Sequence, residues 1–340
     1  MPKLSIILPT YNRGKFITTA LSSIIEQTFS DWELIIVDDG STDDTKKQVE
    51  TADAENPGKI KYFYQENGGA YAARKAGLAH ASGELITFYD SDDLWVEHHL
   101  EQCVMCLNSN PDIDWIAVRG CHVTGTTDVD PKKQEMSPFP SELSSLESRW
   151  NGELQIIDSD RLVETLVTTG HSFGLPLSVI RRHVFDIVEL HTEYRNGEDR
   201  MFLIRALKSN TKLAILHCLH YIFLKHAENS SAASLNMNLE QRQKVYESII
   251  HGYEGLLNRI NNLTRSEQRA LRKRISHDFF WKIGYNLNWQ AGQDQAAFAA
   301  FKKGIKLAPF NLRMRKTLIT CRLKQLFGRC PLPNHLKSSA

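Results

Sequence analysis

The stretch GELITFYDSDDLW, Gly83 to Trp95, sets an apolar run, Leu85 to Tyr89, directly against Asp90, Asp92 and Asp93. The run has the length and composition of a buried strand. Three carboxylates in four positions repel one another unless a cation or a partner sits among them. A strand that ends in such a cluster points to a site at its carboxyl end.

The same pattern recurs on either side. Leu4–Leu8 and Glu33–Val37 read as the first two strands, Lys61–Tyr64 as the third, Glu84–Tyr89 as the fourth and Ile113–Val118 as the fifth. Between them, Lys15–Gln27 sets Phe16, Ala20 and Ile24, and Ile17, Leu21 and Ile25, four apart on one helical face. A polar helix begins near Asp43, with Thr42 or Asp43 as its cap. Gly69–Ala81 is an alanine-rich helix suited to lie close on a sheet, and Leu94–Leu107 is a helix capped by Asp93. Strands alternating with helices specify an α/β fold: a doubly wound, mostly parallel sheet with flanking helices.

In such a sheet ligands bind outside the carboxyl ends of the strands. Here those ends read Pro9-Thr10-Tyr11-Asn12, Asp38-Asp39-Gly40-Ser41, Glu66-Asn67-Gly68-Gly69 and Asp90-Ser91-Asp92-Asp93. Hard oxygen donors of this kind suit Mg²⁺ or Mn²⁺, which need only one or two carboxylates beside substrate phosphates.

Thr124–Ser148 is polar, carries Pro131, Pro138 and Pro140, and reads as a long loop. Helices are expected near Arg161–Thr168 and Glu198–Lys208, and an apolar strand-like run at Leu213–Leu224. Beyond Asn238 every segment is helical in pattern. The expected division is residues 1–238, with a nucleotide half about 1–123 and an acceptor half about 124–238, followed by an all-helical region, 239–340.

At 340 residues the chain suits about two domains, and 41% apolar content supplies a core for a soluble protein. No run approaches the roughly 18 apolar residues of a spanning helix. MPKLSIILPTYN reads as a first strand and not a leader peptide. The six cysteines form no disulfide framework, which fits a reducing cytosol. Cys103 and Cys106 form a CxxC just after His98 and His99, half of a metal pattern; without a second pair, core thiols on an amphipathic helix are the favoured reading. From His251 onward there are 17 Lys/Arg and 4 Asp/Glu, so an acidic body carries a basic tail that suits an anionic surface.

Four stretches, LSIILPTYNRGKFITTALSSIIEQT, WELIIVDDGSTDDT, ENGGAYAARKAGLAHASGELITFYDSDD and NGEDRMF, in that order, resemble the inverting family 2 glycosyltransferases of GT-A fold over the first 230 residues. The resemblance implies a nucleotide-diphosphate-sugar donor, UDP-linked by family habit, a glycan or lipid-linked hydroxyl acceptor, and Mn²⁺ or Mg²⁺. It implies that Pro9 and Tyr11 line the base pocket, Asp38 accepts the ring N–H of the base, Arg74 approaches the nucleotide, and Asp90 meets the ribose or the metal. Asp92 would ligate the metal, His226 would approach metal and diphosphate, and Asp199, with Glu198 beside it, would be the catalytic base. Two departures fall mainly on the acceptor side: Lys75 stands where the family often has Asn, and FDIVELHTEYRNGED lacks the usual Gly-Gly-Phe.

Other classes fare worse. A Rossmann dehydrogenase needs G-x-G-x-x-G after the first strand, where this chain has Pro9 to Gly14 without that pattern. A sugar nucleotidyltransferase would open with a Gly-rich phosphate loop, and a non-catalytic sugar-nucleotide module would have lost carboxylates. In the tail, Leu287–Asn311 resembles the second half of one tetratricopeptide repeat, turning at Gly292 and ending at Pro309. Arg313–Arg329 mixes basic residues with Leu318, Ile319, Leu323, Leu326 and Phe327, as expected equally of a helix lying on an anionic membrane surface at the cytoplasmic face and of a basic solvated helix docked on the first domain. It lacks the interleaved aromatics of a nucleic-acid binder.

Overall fold

The computed structural model describes residues 2–124, 129–190, 197–225 and 237–327. The chain divides into two compact units: residues 1–236 with 258–263, and residues 237–257 with 264–340.

The first unit is built on one mixed sheet. Its strands are β1 (Leu4–Thr10), β2 (Trp32–Asp38), β3 (Ile60–Tyr64), β4 (Leu85–Phe88), β5 (Leu94–Trp95), β6 (Trp115–Thr124), β7 (Ser148–Asn151), β8 (Leu154–Ile157), β9 (Ser178–Arg181) and β10 (Leu213–Lys225). They lie in the order β3-β2-β1-β4-β9-β6-β10-β8-β7, with β5 paired to β10. The quartet β3-β2-β1-β4 is parallel, as the alternation with helices requires. Beyond it β9 runs antiparallel between β4 and β6, while β6 and β10 are parallel. The second half of the sheet is thus the more mixed one.

Period-two alternation sorts β1 between two cores. Leu4, Ile6 and Leu8 join the cluster under α1 (Ile17–Ile25) and α4 (His99–Ser109); Ile7 joins the cluster on the opposite face. There α3 (Ala70–His80) lies so close that a Cβ on Gly77 would come within 2.5 Å of Ile7 Cγ2. That accounts for the small residues of α3. Ser5, on the Ile7 face, donates to Glu33 Oε1 at 2.6 Å, and Lys61 bonds the other oxygen at 2.7 Å. Burial alone would raise the Glu33 pKa, but Lys61, Ser5 and Ser82 hold it down to about 2.

Two local expectations are corrected. The segment after the fourth strand does not enter a helix at Leu94. Leu94 and Trp95 pair with Ile222 and Tyr221 as β5, and the helix begins at His99. Asp93 caps nothing, because its side chain turns inward onto β10, as described below. The stretch expected as one loop, Thr124–Ser148, contains a short helix, α5 (Ser141–Ser144), and its last residue opens the β7–β8 hairpin, turned at Gly152. Residues 125–128 lie outside the described part.

In the second unit, a π-helical segment, Asp278–Trp289, packs on the helix Asp294–Leu307 through Phe280, Trp289, Ala297 and Phe301. Gly292, at φ +79°, makes the turn between them. The last described helix is Leu312–Phe327; Leu318, expected on its outer side, packs inward beside Met314 and Cys321.

Candidate active site

A cleft of about 410 Å³ opens at the carboxyl ends of β1, β2 and β4. One wall is Pro9, Thr10 and Tyr11, where β1 ends; the Tyr11 ring is 46% exposed at the rim. The buried Thr10 hydroxyl beside it has no hydrogen-bond partner among the described residues. Past β1, Asn12 takes φ +50°; its N–H donates to Ser41 Oγ at 2.9 Å and its Oδ1 accepts from Thr42 N at 2.8 Å. Those bonds tie the loops after β1 and β2 together.

Neighbouring aspartates at the end of β2 do different jobs. Asp38 keeps the strand's alternation and points toward β3. It is 1% exposed, its Oδ1 accepts from Ser41 N at 2.7 Å, and its Oδ2 accepts from Tyr62 Oη at 2.6 Å. Asp39, and not Asp38, lines the cleft. It accepts from Gly68 N at 2.9 Å and Gly69 N at 2.7 Å, so the opposite wall, Asn67–Ala70, hangs on one carboxylate. Gly69, at φ +92°, then opens α3, whose positive helix end faces the cleft. The expectation that Asp38 itself meets a ligand is therefore corrected: alternation sends successive strand residues to opposite faces.

The aspartates of the opening stretch also part ways. The turn is closed by Asp93 N donating to Asp90 O at 3.1 Å. Asp90 and Asp92 line the cleft; Arg74 Nη2 lies 2.8 Å from Asp90 Oδ1, and Arg13 Nη2 lies 3.6 Å from Asp92 Oδ2. Asp93 is 6% exposed and accepts from Tyr221 Oη at 2.8 Å and Leu224 N at 3.0 Å. Burial, then the negative charges of Asp90 and Asp92, push its pKa up to about 8. It anchors the turn to β10.

Arg74, on α3, lies beneath Asp90 and reaches a second acid. Its Nη1 is 3.8 Å from Asp199 Oδ1. Burial would lower the guanidinium pKa, yet Asp90 and Asp199 raise it above the ordinary value, so it stays charged. Asp199 and Glu198 occupy the first turn of α8 (Glu198–Lys208), entered through Gly197 at φ +82°. Asp199 Oδ2 accepts from Leu175 N at 3.2 Å. Burial raises the Asp199 pKa against the pull of Arg74; burial and Asp199 raise that of Glu198 to about 7.

Pro9, Tyr11, Arg74, Asp90 and Asp92 thus share one cleft, with the Asp199 pair at its Arg74 edge and Asp38 behind its wall. His226 lies outside the described residues. The sequence placed Thr10 and Asp39 among the polar strand ends without a role for either and gave no sign of Arg13 beyond its place just after the first of those ends. The donor set suits a hard divalent cation. Asp90 and Asp92 offer oxygen only, and their combined field is already strong enough to raise the Asp93 pKa.

The family model described as "Glycosyl transferase family 2" matches residues 5–182, the span that holds the sheet quartet and the cleft. An uncharacterized glycosyltransferase of Rickettsia typhi is 36% identical over 296 residues, covering 85% of this chain and 83% of that one. The chain belongs to glycosyl transferase family 2. Its likeness to other glycosyltransferases is more local. UDP-Glc:alpha-D-GlcNAc-diphosphoundecaprenol beta-1,3-glucosyltransferase WfgD of Escherichia coli is 42% identical over 110 residues, covering 32% of this chain and 42% of that one. Several curated relatives match over only 16% to 42% of their own length. Among solved structures, S. aureus TarS 1–349 in complex with UDP-GlcNAc superposes with a TM-score of 0.65 at 22% identity, covering 90% of this chain and 81% of that one. The GT-A fold is shared with that neighbour. No helix among the described residues is long and apolar enough to cross a membrane.

Proposed function

We propose that the protein transfers a sugar, with inversion, from a UDP-sugar to a hydroxyl of a lipid-linked glycan, in the synthesis of a cell-surface polysaccharide. The observation that carries this is the Arg74 bridge. One charged guanidinium spans Asp90, on the donor side of the cleft, and Asp199, at its far edge. UDP-GlcNAc in the TarS neighbour and the diphosphoundecaprenol-linked substrate named for WfgD support the donor and acceptor classes.

In this reading Tyr11 stacks on the nucleobase, and Pro9 and the Thr10 hydroxyl border it. Asp38 acts from behind by holding the Ser41 turn, and Asp39, within the cleft, holds the Gly68–Gly69 wall. The α3 N-terminus and Arg13 favour the diphosphate. Mn²⁺ or Mg²⁺, held by Asp90 and Asp92, would neutralise the charge of the leaving diphosphate. Arg74 keeps Asp199 ionised and oriented while burial keeps it basic. Asp199 then takes the proton from the acceptor hydroxyl on the side away from the diphosphate, a step worth ~10²–10⁴-fold. Glu198 sets the local field and shares the titration.

The tail supports delivery to a membrane-bound acceptor at the cytoplasmic face. In the helix Leu312–Phe327 the exposed residues Leu312, Ile319, Leu323, Leu326 and Phe327, with Lys316 among them, fall within a sector about 100° wide, opposite buried Met314 and Cys321. Arg315 and Arg322 flank one edge, Arg313 and Lys324 the other. Co-sedimentation with anionic liposomes should be strong for the full chain and lost when the chain ends at Pro309; equal binding removes this part.

The central test is incubation with Mn²⁺, a panel of UDP-, GDP- and TDP-sugars and a lipid-linked acceptor. Release of UDP with glycan extension is expected. Release of pyrophosphate, or no turnover with any donor, overturns the reading.

A further inference from the structure

Behind the Asp93 anchor, α4 and β10 bring three metal-ligating side chains together. His99 and Cys103 stand four apart on one face of α4, and Cys218 and His220 two apart on β10. His99 Nδ1 lies 3.3 Å from His220 Nδ1 and 3.8 Å from Cys103 Sγ, and the three donor atoms all fall within 4.8 Å of one another. Cys218 Sγ is 3.1 Å from His220 Nε2. His99, Cys103 and His220 are fully buried, and His99 Nε2 has no hydrogen-bond partner among the described residues.

As a set of hydrogen bonds this is a poor arrangement. Two imidazoles meet through the same kind of nitrogen, and His99 Nδ1 is shared between a ring and a thiol. Two of its distances are close to those of a coordination shell. A tetrahedral ion with bonds of about 2.0–2.1 Å to nitrogen and 2.3 Å to sulfur has edges of roughly 3.3 Å between nitrogens and 3.6 Å between nitrogen and sulfur.

We propose that His99, Cys103 and His220 form a buried site for a thiophilic divalent ion, zinc first. On binding, the Cys103 thiol gives its proton to solvent and its thiolate bonds the metal. The ion pins the first turn of α4 to β10. Val96 N donates to His220 O at 3.1 Å, and Tyr221, the next residue, holds Asp93. The ion therefore braces the turn that carries Asp90 and Asp92. This site is separate from the one those carboxylates offer to a hard cation, and it stands whether or not the transferase reading does.

The test uses the untagged full chain, reconstituted with zinc, desalted and assayed by elemental analysis, then repeated with Co²⁺ and followed by absorption. About one zinc per chain and a thiolate-to-cobalt charge-transfer band are expected. Cys103→Ser should lose both, while Cys106→Ser and Asp92→Ala should keep both. Chelation of the zinc should lower the melting temperature. If Cys103→Ser does not fold, the wild-type cobalt spectrum decides. Background zinc in folded wild-type chain, an absent thiolate band, or loss caused by Cys106→Ser instead would overturn the site.

Discussion

Arg74 Nη1 stands 3.8 Å from Asp199 Oδ1 while its other terminal nitrogen bonds Asp90 at 2.8 Å. Asp90 and Asp199 are more than a hundred positions apart in the chain, and one buried cation lies against both. Replacing Arg74 with Met removes the charge that opposes the burial-driven rise in the Asp199 pKa. A base must be deprotonated to act, so kcat/KM should rise with pH through a limb set by Asp199, whose pKa burial raises. In Arg74→Met that limb should move to higher pH, with a loss on the order of 10²-fold at neutral pH. A pH–rate profile with an unmoved limb refutes the coupling.

Asp199→Asn keeps the shape of the side chain and the bond from Leu175 N but removes the base. UDP binding by calorimetry should change little, and turnover should fall by about 10²–10⁴-fold. Sugar transfer at the wild-type rate would show that the proton goes elsewhere.

The carboxylates of the Asp90–Asp93 turn should separate by experiment as they do in space. Asp92→Ala removes an oxygen donor in the cleft and should abolish the thermal stabilisation that Mn²⁺ gives with UDP. Asp93→Asn keeps Asp90 and Asp92 but unsettles the buried contacts to Tyr221 and Leu224; it should lower the melting temperature without metal, by about 1–3 kcal/mol of stability, and keep the Mn²⁺ response. The reverse pattern would exchange their roles.

Gly77→Ala places a methyl group 2.5 Å from Ile7 Cγ2 and 3.2 Å from Val37 Cγ2. Alanine is the better helix former, so propensity alone predicts stabilisation of up to about 1 kcal/mol. The clash should win and cost about 1–3 kcal/mol in urea denaturation. A more stable variant would mean that α3 can move off the sheet.

Glu33 gives the acid side of stability. Its pKa is about 2 in the folded protein, below its unfolded value, so its contribution is complete above about 4.5 and is lost as pH falls through 2. Glu33→Gln should lower stability by about 3 kcal/mol at most at neutral pH and flatten the acid limb between those values. An unchanged acid limb would place the loss elsewhere.

How much of this the chain states in its own residues depends on range. The strands Leu4–Thr10, Trp32–Asp38 and Leu85–Phe88, the helix Ile17–Ile25 and the gathering of polar strand ends follow from apolar spacing and local chemistry. Hydrophobic burial imposes periods of 2 and 3.6 wherever it acts, so these features are written in the sequence itself. The fates of Asp38, Asp39 and Asp93 are not written there. Asp93 looks like a helix cap until β10 arrives from more than a hundred residues away with Tyr221 and Leu224. Asp38 resembles a ligand-facing acid until Tyr62 claims it. Partner choice among like carboxylates is a matter of burial and of which donor a distant strand delivers. Only the folded sheet, with β9 threaded antiparallel between β4 and β6, brings those donors into place.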